Sequence, residues 1–104
     1  MERQSRAAHT IFERSQLAYF SGDYLHAAAL AGQAAETAPE LDAHARWQYR
    51  IAQAYSLWQR GNWFAESSPL LEAVRIYREF ALPLAPRATN PTDWAETQNY
   101  LCDA

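Results

Sequence analysis

Between Ser21 and Pro39 the chain puts almost nothing but small residues where a helix would carry its packing face. Gly22-Asp23 opens the segment as a turn, because glycine tolerates backbone angles that other residues resist. From there Tyr24, Ala27, Ala28, Ala31, Ala34 and Ala35 recur at spacings of three and four, which is one stripe of a helix. Pro39 closes it, having no N–H to donate into a further turn. A face built of alanine offers little bulk, so a second helix can approach it closely. The preceding segment, Arg3 to Phe20, supplies that partner. Its stripe is Ala7, Ala8, Ile11, Ser15 and Ala18, with Phe12 and Tyr19 on the flank. Ser15 and Ala18 are small where they would meet Ala27 and Ala28. The two segments are therefore expected to form a tight antiparallel hairpin.

The same reading continues along the chain. A third helix is expected from Glu40 or Leu41 to about Arg60, with the stripe Ala45, Ile51, Ala52, Ala54, Tyr55 and Trp58. Glu40 and Asp42 suit its positive end, and Gly61-Asn62 is read as its stop. An irregular stretch from Gly61 to Ser67 follows, in which Trp63 and Phe64 are either tucked against the hairpin end or exposed as a knob. Ser68-Pro69 is the expected start of helix four, with the stripe Leu70, Ala73, Val74, Tyr77, Phe80 and Ala81. Pro83, Pro86, Asn90 and Pro91 bound a connection over 84–90. Helix five then begins with Asn90 as its cap and with Asp93 and Glu96 in its early turns. The low glycine count and scarce β-branched residues agree with helix throughout.

Two stretches repeat. Ala45, Gln48, Ile51 and Ala54 recur as Ala95, Gln98, Leu101 and Ala104 at a constant offset of 50. Gly22, Tyr24, Ala27, Ala34 and Pro39 occupy the offsets of the second helix of a tetratricopeptide repeat (TPR), and Ile51-Ala52-Gln53-Ala54-Tyr55 resembles the core of a TPR first helix, with Ala52 in place of the usual glycine. Asn90-Pro91 and Trp94-Ala95 followed by Thr97-Gln98-Asn99 and Leu101 resemble a TPR variant of large bacterial multi-repeat proteins. The resemblance implies an all-α fold of about five helices, with antiparallel hairpins stacked as a right-handed superhelix. Its units would be 4–39, 40–84 and a partial one at 90–104, in one domain over 1–104. From Ala27 to Ala73 is 46 residues, against about 34 in the standard repeat, and the surplus is expected around Trp63 and Phe64.

Motifs for chemistry are missing from the sequence. His9, His26 and His44 have no partner at the spacing of a helical metal site, and no Cys-x2-Cys occurs. They are read as surface or packing residues, and Cys102 as a small side chain buried at a helix crossing. Trp47 and Trp58, eleven residues apart, fall on nearly one helical face and are read as core. No phosphate loop or nucleophile elbow is present, so neither an enzyme nor a cofactor is expected. The net charge of −3 with interspersed signs speaks against a nucleic-acid surface. No apolar run approaches the roughly 18 residues of a membrane span. One cysteine and no apolar leader fit a reducing, cytoplasmic setting.

What the TPR resemblance offers is a groove lined by the first helix of each unit. Carried over by position, it implies Phe12, Gln16 and Tyr19 from helix one and Arg46, Tyr49 and Gln53 from helix three. Helix five contributes Glu96, Asn99 and Asp103. Aromatics and amides suit an extended or helical peptide, so the expected function is a protein–protein interaction module. The alternative is a sensory or regulatory domain of a larger signalling protein, holding a small ligand or a neighbouring domain. Helix five, carrying Trp94, Gln98, Leu101 and Cys102, is expected to need cover, from further repeats, from self-association or by folding back onto the hairpin before it.

Overall fold

The computed structural model describes the backbone of residues 2–103 and the side chains of residues 3–102. Every regular element among them is helical. In chain order these are α1 (Glu2–Phe20), α2 (Tyr24–Thr37), α3 (Ala43–Phe64), α4 and α5 (Pro91–Asp103). Helix α4 is composite: an α-helical part (Ser67–Ile76), a π turn (Tyr77–Ala81) and a last α turn (Leu82–Leu84).

The first hairpin forms as the small residues dictate. Gly22 takes φ +87°, and the amides of Gly22 and Asp23 donate back to the carbonyls of Tyr19 and Ala18 at 3.0 and 2.9 Å. That pair of bonds satisfies carbonyls the helix end would leave open, and it needs a left-handed residue at that point. The Asp23 carboxylate then caps α2 by accepting from the His26 amide at 3.3 Å. Ala27, Ala28, Ala31, Ala34 and Ala35 are all buried. At the crossing the buried Ser15 hydroxyl donates to the Ala27 carbonyl at 2.7 Å, a contact open only to a side chain this short. Ala27 is 0% exposed, so Ala27→Leu is expected to cost about 1–3 kcal/mol by overpacking. Thermal unfolding checks it, with Ala29→Leu on the exposed face as the variant that should leave the midpoint unmoved.

Helix α2 is closed from outside. The Arg46 guanidinium donates to the Ala38 carbonyl at 2.9 and 3.2 Å and to the Pro39 carbonyl at 3.2 Å, occupying acceptors that a helix C-terminus leaves unpaired. Asp42 caps α3, accepting from the Ala45 amide at 3.1 Å. The expected stop at Gly61-Asn62 is corrected: α3 runs 22 residues, to Phe64. It ends at Ala65, which adopts the left-handed conformation at φ 53°. Helix α4 begins at Ser67 with Glu66 at the cap position, not at Ser68-Pro69. The surplus length therefore extends α3 instead of forming an irregular insertion. Gly61 is helical and buried, and its missing side chain makes room for Leu70 of α4.

The connection expected over 84–90 begins where it was read, since the last α turn ends at Leu84; what differs is a π turn before it. Ala73, Tyr77, Ala81 and Ala85 are all buried to 1% exposure or less, a four-residue spacing that overshoots a 3.6-residue turn by about 40° each step. The π turn under-winds the helix at Tyr77–Ala81, with the Leu82 amide donating to Tyr77 O, and so absorbs part of that drift. Pro83 lacks the amide a regular turn would use and sits exposed in the final turn.

Helix α5 lies against α3 and the π turn. Trp47 donates its indole N–H to the Thr97 hydroxyl at 2.7 Å, and His44 Nδ1 meets the Asp93 carboxylate at 2.7 Å. Asp93, expected to serve the helix dipole, makes this contact between helices. The Tyr55 and Tyr100 rings meet at 5.9 Å, and Phe12 and Tyr49 at 4.8 Å. Partners rise in number together along each pair, so α1, α3 and α5 run side by side in parallel. Overall extents of 39 × 30 × 17 Å fit a slab two helices thick. Trp47, Ile51, Ala54, Ile76 and Tyr77 form the larger core, and Ala8, Ala34, Ala35, Ala38 and Tyr49 the smaller.

Candidate functional site

The layer of parallel helices holds an apolar cleft that several of the expected groove residues share. It lies between α1 and α3, has a volume of about 220 Å3, and is lined by Phe12, Ser15, Gln16, Tyr19, Phe20, Ala52, Tyr55 and Ser56. Small residues set its width: Ser15 on α1 and Ala52 and Ser56 on α3 keep the helices close without filling the space between them. Its lower end is fixed by a polar clamp. The Gln59 amide donates to the Tyr19 and Tyr55 hydroxyls, each at 3.1 Å, and accepts from the Trp63 indole at 3.1 Å. Tyr19 and Tyr55 stack at 6.1 Å. Phe20 projects at the rim, 82% exposed.

The nine expected groove residues are thus not one surface. Phe12, Gln16 and Tyr19 line the cleft. Tyr49 lies under it, 6% exposed and packed on Phe12. Arg46 is turned to the end of α2, and Gln53 faces Gly32 of α2 and accepts from Arg50 at 2.9 Å. Both are removed from the cleft by those contacts. Glu96 and Asn99 are exposed on α5, away from the cleft lining, and the Asp103 side chain lies outside the described residues. Ala52 and Tyr55, read from their spacing as packing stripe, belong to the cleft, as does Ser56. A side chain three or four residues from a buried one can pack and line a cleft at once.

Three phenols are held protonated beyond their ordinary value of 10.0: Tyr19 and Tyr49 by burial first, and Tyr100 by burial and then by the Glu96 carboxylate. For Tyr19 the Gln59 donor opposes burial, and the neighbouring Tyr55 reinforces it. A folded state that holds these protons more tightly is favoured in full below pH 10.0, and loses that stability as pH rises through the folded values. The expected result is an unfolding midpoint that falls above about pH 10, with phenolate absorbance rising later in the folded than in the urea-unfolded chain. Identical titration curves would contradict the burial of these rings.

Among the described residues no three His, Cys, Asp or Glu side chains come together to hold a metal. His9 pairs with Glu13 at 3.5 Å and His26 with Asp23 at 3.7 Å, both at the surface. Cys102 is exposed, which corrects its expected burial: it lies beside Leu101 in the open groove between α4 and α5. Trp63 and Phe64 are exposed at 72% and 53%, with the Arg60 guanidinium 4.0 Å over the Phe64 ring, so the knob is the outcome of the two alternatives. Between α4 and α5 a wider, shallower groove is lined by Val74, Leu82, Gln98 and Leu101. Among the described residues no helix is long and apolar enough to cross a membrane. Compared with protein-family models, curated proteins and solved structures, the chain matches none.

Proposed function

We propose that this chain is a non-enzymatic, TPR-like interaction module of the cytoplasm that takes a peptide or a partner helix into the cleft between α1 and α3. The observation that carries the reading is the cleft itself: apolar walls from Phe12, Tyr19, Phe20 and Tyr55, with the Gln16 amide at its edge. Rings of this kind cover a ligand's apolar side chains, and an amide at the rim can bond its backbone. The stacking of α1, α3 and α5 supports a superhelical array, in which the open groove of Val74, Leu82 and Leu101 is the place for a further helix or a second copy.

Selection of peptides from a random displayed library tests the proposal. Gln16 and Phe20 are exposed, so Gln16→Arg and Phe20→Glu should abolish binding of the selected peptides while leaving circular dichroism and the melting midpoint unchanged. Peptides that bind both variants as tightly as the parent chain would place the binding surface elsewhere.

A further inference from the structure

A second cavity lies beyond the cleft, where α3, the π turn and α5 meet. It has a volume of about 80 Å3, and among the described residues it is lined by four aromatic side chains: Tyr55, Trp58, Tyr77 and Tyr100. The rings form two near-parallel pairs, Tyr55 with Trp58 at 5.7 Å and 23° and Tyr77 with Tyr100 at 5.6 Å and 9°. Tyr55 and Tyr100 then meet at 67°, so the pairs are inclined to each other as walls of a corner. Tyr77 is buried at the inner end, while the other three are half-buried. The π turn starts at Tyr77, and such turns are frequent where a helix builds a site.

The dimensions and the charge select the occupant. At about 80 Å3 the site is well below the ~300 Å3 at which pockets for drug-sized ligands begin. Only a compact head group fits. The faces of Tyr and Trp rings are negative, and a cage of them is suited to a cation whose charge is spread over methyl groups and which therefore loses little on leaving water. Glu96 stands one helical turn before Tyr100 on α5, close enough for its carboxylate to act on the Tyr100 phenol. The guanidinium groups of Arg50, Arg60, Arg75 and Arg87 lie over other rings, those of Phe64, Phe80 and Trp94. Among the described residues none lies over Tyr55, Trp58 or Tyr100. We infer that this cavity binds a trimethylammonium head group, with Trp58 and Tyr100 as its principal faces and Glu96 as the countercharge at its rim. The inference stands without the peptide reading of the α1–α3 cleft, since it concerns different walls apart from Tyr55.

Tetramethylammonium is the first probe, titrated into the full chain and followed by the indole and amide resonances in proton–nitrogen NMR. Saturable shifts at Trp58 and Tyr100, with the exposed Trp63 unmoved, are expected. Choline and a trimethyllysyl peptide then distinguish a free small molecule from a modified partner as the source of the same head group. The neutral tert-butyl analogue of choline has its shape without its charge and should bind at least about tenfold more weakly. Glu96 is exposed, so Glu96→Gln should leave the fold intact, weaken tetramethylammonium severalfold, and abolish most of its salt dependence. Tyr100→Leu should remove binding while circular dichroism stays helical. Equal binding of the neutral analogue, or no saturable shift with any of the cations, overturns the inference.

Discussion

Trp47→Ala is expected to lower the free energy of unfolding by about 3–5 kcal/mol, the range for deleting a buried large aromatic. Trp47 is 5% exposed and belongs to the larger core, so the loss leaves a cavity between α3 and α5 as well as removing buried apolar area. Its indole also donates to the Thr97 hydroxyl, which in turn donates to the Asp93 carbonyl at 2.8 Å. Truncation leaves the buried Thr97 oxygen without its donor. Trp47→Phe separates the two effects: it retains most of the volume and drops the N–H, and should cost about 1 kcal/mol for the lost bond, plus a smaller packing term. Urea unfolding of the three proteins gives the comparison. A Trp47→Ala protein within 1 kcal/mol of the parent would mean that α5 is seated on α3 by something other than this residue.

Gly61→Ala is expected to destabilise by about 3 kcal/mol or more, at the upper end of overpacking, although alanine is the better helix former by roughly 1 kcal/mol. A methyl group at this position would stand 2.4 Å from Leu70 Cγ and 2.9 Å from the Glu66 carbonyl oxygen. Leu70 can turn aside. The carbonyl cannot, because the chain reverses there between α3 and α4. Gly32→Ala is the informative companion. The methyl group there would meet the Gln53 amide at 2.7 Å, the free end of a flexible side chain, so the propensity gain should prevail and the protein should be unchanged or slightly more stable. A stabilised Gly61→Ala protein would show that α3 and α4 are not in close contact at this point.

The two glycines also show where a reading of the sequence stops. Helical periodicity makes the existence of each helix legible, since stripes such as Ala27–Ala35 and Ile51–Trp58 are local. A boundary is decided by what crosses nearby. Gly61-Asn62 has the chemistry of a helix stop, yet the glycine is there for Leu70, and Ala65 takes the left-handed turn instead. Pro83 has the chemistry of a break, yet the four-residue spacing of buried positions calls for a π turn that carries the helix past it. Of the cleft, Phe12, Gln16 and Tyr19 were legible because they share one face of α1. Tyr49, Arg46 and Gln53 share a face of α3 just as clearly, but their neighbours on α1 and α2 take them up. The four-ring cavity was not legible from any one segment. The seating of α5 on α3 did have a signal: the offset of 50 that relates Ala45 to Ala95 is also the offset of the Trp47–Thr97 hydrogen bond. A repeat whose copies lie in parallel register brings equivalent positions face to face.

The side-by-side order of α1, α3 and α5 has a kinetic consequence. Each helix touches chiefly the helices next to it in the chain, so assembly closes only short loops and no distant ends must find each other. Chains with such local topology cross their folding barrier in microseconds to milliseconds. Growth can start at any hairpin and spread along the row. The alanine-faced hairpin of α1 and α2 is the natural first step, because its partners are joined by a three-residue turn and its small side chains lose almost no rotamer freedom on docking. Helix α5 would join last, and the rate at which it docks and departs would set the rate at which the four-ring cavity forms and empties.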